Sequence, residues 1–99
     1  MLIYHIVTPE RWEQFKNEPF YEAESLATER FIHCSYFHQL PQVLERYYKD
    51  VERVLILTIN PNQLTSELIA EASTGGEIYP HIYGAINNCA IVETQERTL

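Results

Sequence analysis

Three histidines stand in settings where an imidazole is either a structural anchor or a working group. His5 lies in the middle of the apolar run Leu2-Ile3-Tyr4-His5-Ile6-Val7, and His33 in the middle of Phe31-Ile32-His33-Cys34. His81 follows Pro80 in a segment flanked by Gly75-Gly76 and Gly84. A histidine at a strand centre loses hydration unless both ring nitrogens find partners. One such residue is ordinarily a satisfied core histidine. Three of them make a shared site about as expected as three separate structural roles. Three neutral imidazoles can also hold a metal. No HxH or HExxH spacing fixes two ligands on one element, however, so the expectation is a metal-free pocket.

The acidic candidates are Glu29, Glu71 and Glu77. Glu77 follows two glycines, where backbone or ligand can approach closely. A carboxylate there can hydrogen-bond a ribose hydroxyl or stabilise a cationic transition state, although a solvated surface Glu is the plainer reading. Arg30 is the basic residue nearest the His33 strand, and so the natural partner for a diphosphate or for a surface ion pair. Ser25 and Ser35 flank the same strand. Each can bind a ligand or cap a helix, and capping suits Ser25 better. The chain contains no GxSxG, no P-loop and no GxGxxG.

The elements that must position these residues are short. Leu2 to Val7 reads as a first strand. Thr8 caps a helix opened by Pro9 and Glu10, with Trp12 and Phe15 on its buried face. Residues Asn17 to Tyr21, with Pro19, end that helix. Ser25 to Arg30 is a capped turn of helix or a tight loop, and Phe31 to Ser35 a short strand. Leu40, Val43, Leu44, Tyr47 and Tyr48 form an apolar stripe on a second helix over about 40–49. Val54 to Ile59 is a strand broken by Asn60-Pro61-Asn62, and Leu68 to Ala72 a weaker one. Ser73 to Gly76 is a turn, Glu77 to Gly84 a loop dense in polar rings. Ala90 to Glu93 is a last strand before a polar tail over 94–99.

At 99 residues and 45% hydrophobic content the chain, 1–99, makes one domain with one real core. The formal net charge of −7, with 7 scattered Lys and Arg, argues against a nucleic-acid partner. No apolar run approaches the roughly 20 residues of a membrane span, and no signal peptide is apparent. Cys34 and Cys89, without CxxC spacing, read as two buried thiols in a reducing cytosol. The expected architecture is α+β: a small, strongly bent, mainly antiparallel sheet arrangement with two short helices.

Four segments carry a resemblance. Ile3-Tyr4-His5-Ile6-Val7, Glu24 to Glu29, Phe31-Ile32-His33-Cys34-Ser35 and Gly75 to Gly84 occur in the order found in a small uncharacterised, mainly bacterial family. It is known as domain of unknown function 952, and the resemblance runs from residue 3 to about residue 93. Arg30 departs from it, standing where such sequences usually carry Gly. The resemblance implies an ADP-ribosyltransferase-like fold, in which two small sheets form a cleft that grips NAD. The stretch Arg30 to Ser35 is similar to the second-strand motif of the RNA 2′-phosphotransferases of that group. By that likeness His5 would hold the adenosine ribose or the nicotinamide end, and His33 and Ser35 would line the nicotinamide pocket. Glu77 or His81 would take the third, catalytic position. Ser25, Thr28, Arg30 and Tyr83 would contribute ligand contacts.

The function implied is that of an ADP-ribosyltransferase-like cytoplasmic protein acting on NAD, as substrate, or on an ADP-ribosylated small molecule. Breaking the nicotinamide–ribose bond passes through an oxocarbenium-like state that wants a negative charge near the ribose. The alternatives are a non-catalytic nucleotide-binding module using the same cleft and a His-ligated metal hydrolase.

Overall fold

Alternation along the first strand decides how the domain is layered. In β1 (Ile3–Val7) the odd residues Ile3 and Val7 face one core cluster, while Ile6 faces another. A strand that buries both faces is an interior element rather than a one-sided one. In the computed structural model, which describes residues 1–99 apart from the side chain of Thr74, β1 pairs antiparallel with β4 (Arg53–Ile59). β4 in turn pairs with β8 (Ile91–Thr98), giving the order β1-β4-β8.

The second sheet has the order β3-β6-β5, formed by Ile32–His33, Ile78–Tyr83 and Glu67–Ala72. A two-stranded ladder of β2 (Phe20–Tyr21) and β7 (Ile86–Asn87) completes the β-structure. The architecture is α+β, with three α-helices and eight strands among the described residues. Two of the helices are the expected ones, α1 (Pro9–Phe15) and α3 (Leu40–Tyr47). The turn at 24–29 is a third, α2 (Glu24–Glu29).

The helices cover the first sheet from both sides. Thr8 Oγ1 accepts the Arg11 amide at 3.3 Å and caps α1. Trp12 and Phe15 then pack around the buried Tyr21 ring, with centroids 5.9 and 5.5 Å away. On the other side α3 lays Leu40 and Leu44 against Ile6, Val54 and Ile56, as its apolar stripe requires. The two larger sheets are tied at their edges. Tyr4 and Ser35 exchange both backbone hydrogen bonds, at 2.9 and 2.7 Å, so the chain leaving β3 becomes a neighbour of β1.

Two segments differ from what their sequences suggest. Residues 78–83 are not a loop but the central strand of the second sheet, despite Pro80. In a strand one residue's N–H and C=O point to the same side. The Pro80 carbonyl accepts the Cys34 amide at 3.1 Å, so the donor proline lacks would have faced β3. There the ladder is only two residues long, and the proline is tolerated at its end. Residues 94–98, expected as a polar tail, continue β8 as an edge strand along β4. Both faces of that stretch carry polar residues, which suits a solvated edge.

Arg30 closes α2 in the left-handed conformation, with φ 75° and ψ 9°. That is the helix-terminating position where glycine is unstrained and a side chain is not. Arg30→Gly is expected to stabilise the domain by about 0.5–1 kcal/mol. Thermal unfolding should show a rise of about 2–8 °C for a chain of this size. An unchanged or lower midpoint would mean that the arginine head makes a compensating contact.

Candidate functional site

The His5 ring has two assigned partners and therefore a fixed tautomer. Its Nδ1 lies 2.7 Å from the His33 carbonyl oxygen, which can only accept, so Nδ1 carries the proton. Nε2 is then the acceptor, and the Tyr21 hydroxyl donates to it at 2.8 Å. Both side chains are buried, at 6% and 1% exposure. Burial lowers the His5 pKa to about 4, with the His33 carbonyl bond opposing the shift and the His33 ring adding to it. Burial likewise pushes the Tyr21 phenol up, so it stays protonated and remains the donor. His5 is thus a neutral, doubly bonded ring near neutral pH.

A cleft of ≈ 670 Å³ opens beside this pair, between the two larger sheets and under α2 and α3. Its walls include His5 and Ile6 from β1, Ser25 and Glu29 from α2, His33 from β3, and Ser35. The volume falls in the range of small-molecule sites. His33 is half-exposed, and its Nε2 meets Glu29 Oε2 at 3.0 Å, one helical turn back in sequence. Ser25 Oγ donates to the Phe31 carbonyl at 2.8 Å and steadies the turn between α2 and β3. Cys34 also lines the cleft, where burial pushes its thiol up and favours the protonated form; Cys89, expected to be buried like it, is exposed.

Four of the predicted residues therefore meet in one space: His5, His33, Ser25 and Ser35. The carboxylates that join them are Glu24 and Glu29, both on α2. Glu77 lies elsewhere. Its two carboxylate oxygens accept from the amides of Gln39 and Gln42, both at 2.8 Å, which pins the start of β6 to α3 and the turn before it. Those two amides hold its carboxyl below the usual range. Arg30 and Thr28 are exposed and outside the lining of the cleft. Tyr83 donates its hydroxyl to Glu71, on the second sheet. His81 is 2% exposed, donates from Nδ1 to the same Glu71 oxygen at 2.6 Å, and stacks on Phe31 with centroids 4.1 Å apart.

The cleft also holds residues that sequence reasoning passed over. Arg11 and Arg46 line it from α1 and α3, together with Tyr47, Tyr48 and Tyr79. Arg11 donates from Nε and Nη2 to the Glu22 carbonyl, at 3.2 and 2.7 Å. A guanidinium has five N–H donors, more than this carbonyl takes. The two guanidinium groups put positive charge at the cleft, whereas Arg30, the cation expected there, lies outside its lining. Nothing in their spacing marks them, since each looks like an ordinary charge on the polar face of a helix.

Residues 6–94 match the family described as "Protein of unknown function (DUF952)". The chain belongs to this family. No curated protein matches this DUF952 chain. Among solved structures it is similar to protein CC0527 from Caulobacter crescentus. The crystal structure of that protein is 25% identical with a TM-score of 0.85, covering 100% of this chain and 86% of that one. Its solution NMR structure is 24% identical with a TM-score of 0.84, over 99% and 85% of the two chains. These likenesses give a common fold.

Proposed function

We propose that the domain is an ADP-ribosyltransferase-like protein whose cleft takes a nucleotide of the NAD or ADP-ribose kind. The observation that carries this reading is the gathering of His5, His33, Ser35, Glu29, Arg11 and Arg46 around one ≈ 670 Å³ space. Two guanidinium groups suit a diphosphate, and the tyrosines beside them suit a flat base. Of the two α2 carboxylates lining the cleft, Glu24 and Glu29, the one paired with His33 is Glu29, and it is the better placed to face an oxocarbenium-like ribose. That is the charge the chemistry asks for, and it falls to Glu29 rather than Glu77.

A non-catalytic binding module is the second reading, and one observation favours it. The inner wall offers no free base or nucleophile, since His5 is bonded on both nitrogens and Tyr21 and Cys34 keep their protons. A metal hydrolase built on His5, His33 and His81 finds no support in the donor geometry. Among the described residues no three His, Cys, Asp or Glu are placed to hold one ion.

A thermal-shift titration with ADP-ribose and NAD tests both surviving readings. A ligand at ten times its Kd stabilises by about 1.4 kcal/mol, or about 6–10 °C here. Arg46→Ala should abolish most of that shift. Nicotinamide release by the wild type, lost in Glu29→Gln with the shift intact, would mark the enzyme. A shift without release would mark the module. No shift with either ligand at millimolar concentration overturns both.

A further inference from the structure

His81 has a structure on its ring that packing alone does not require. The Glu71 carboxylate is an acceptor, so the proton of the imidazole sits on Nδ1 and the lone pair on Nε2. Tyr83 donates to the same Glu71 oxygen, so the carboxylate is held by two donors and its pKa is lowered. A histidine whose Nδ1–H is held by a carboxylate is fixed in tautomer and orientation, and its Nε2 is made a better acceptor. In this chain that acceptor is buried and has no hydrogen-bond partner among the described residues. Leaving such an atom unmatched is costly, and a hydrophobic side chain would have filled the place at no such cost.

The surroundings connect this atom to the cleft. His81 lies directly opposite His33 in the β3–β6 register, and their rings meet edge to face with centroids 5.3 Å apart. His33 lines the cleft; it is half-exposed and held there by Glu29. His33 is thus a cleft-lining ring in direct contact with His81, and turning it aside would open a way from the ligand space toward the His81 ring, on which Phe31 also stacks.

We propose that His81 is a further ligand-binding residue of the cleft, its Nε2 accepting a hydrogen bond from a sugar hydroxyl once the His33 ring turns aside, with Glu71 as its positioning residue. The identity of the ligand as a nucleotide sugar rests on the reading above. The role of His81 rests on its own geometry. No covalent step is involved.

The test compares His81→Asn with His81→Gln, with ADP-ribose as the probe. Asparagine keeps a donor near the Nδ1 position for Glu71 but removes the acceptor at Nε2. Glutamine reaches the Nε2 position with an amide oxygen. His81→Asn is expected to weaken ADP-ribose binding by about tenfold or more, and His81→Gln to recover most of that loss. In the wild type, the ¹⁵N resonance of His81 Nε2 should move on saturation with ADP-ribose, a readout independent of whether the variants fold. Wild-type binding with an unmoved Nε2 resonance, or with His81→Gln no better than His81→Asn, overturns this inference and leaves the nucleotide reading standing. Absence of any ADP-ribose binding to the wild type overturns both.

Discussion

Acidifying the protein from about pH 7.5 to about pH 4.5 is expected to remove about 2–3 kcal/mol of folding stability through His5 alone. In the folded chain burial lowers the His5 pKa from 6.5 to about 4. In the unfolded chain the same ring titrates at its ordinary value. Between those two values the unfolded state binds a proton that the folded state refuses. Stability from this source is therefore complete above 6.5 and is lost as the pH falls toward 4. The refusal has a structural cause. A second proton on His5 would have to sit on Nε2, facing a Tyr21 hydroxyl that already donates to it at a buried position.

Other groups titrate in the same direction, so the measurement needs a difference. Glu71 is held below the usual carboxylate range by Tyr83 and His81, and Glu77 by Gln39 and Gln42. Their contributions are present above the ordinary carboxylate pKa and fade at lower pH. Urea unfolding of the wild type and of His5→Gln at both pH values isolates the histidine. The advantage of the wild type over the variant should shrink by about 2–3 kcal/mol on acidification. Parallel loss in the two proteins would mean that His5 is protonated in the fold and that the tautomer assigned to it is wrong.

The same histidine shows why parts of the molecule were legible in the sequence. Its neighbours Ile3, Ile6 and Val7 announce a strand, and an imidazole among them has to be either partnered or functional. The α3 stripe and the β4 run announce themselves by periodicity in the same way. Pro80 hid β6, because the site that excuses a proline is the end of a two-residue ladder formed by a segment far away in sequence. The residues 94–98 hid β8, because an edge strand that is polar on both faces has no period-two signal. Among the residues lining the cleft, His5, His33, Ser25 and Ser35 are legible because they sit on or beside apolar runs. Arg11 and Arg46 are not, because a charge on a helix looks the same whether it faces a cleft or open water. Glu77 lies outside the cleft lining for a different reason. Its glycine neighbours suggested access for a ligand, whereas its partners are two glutamines on a distant helix and turn.

Those glutamines carry the other large effect. Gln39 is 1% exposed, an unusual place for a neutral amide, and every polar atom of it is used. Its Oε1 accepts the Tyr36 amide at 2.9 Å, and its Nε2 donates to Glu77 and to the Ile78 carbonyl, both at 2.8 Å. One side chain thus joins the turn before α3 to the first residue of β6. Gln39→Leu keeps most of the volume but strands a backbone N–H, a backbone C=O and one carboxylate oxygen. Loss of such a satisfied buried network is expected to cost about 2–4 kcal/mol. Thermal unfolding should register a fall of about 10–25 °C. Glu77→Gln should cost less, because an amide oxygen can still accept from Gln39 and the carboxylate is near solvent. A Gln39→Leu protein as stable as the wild type would mean that water replaces all three bonds, and that β6 is held in place by its ladders alone.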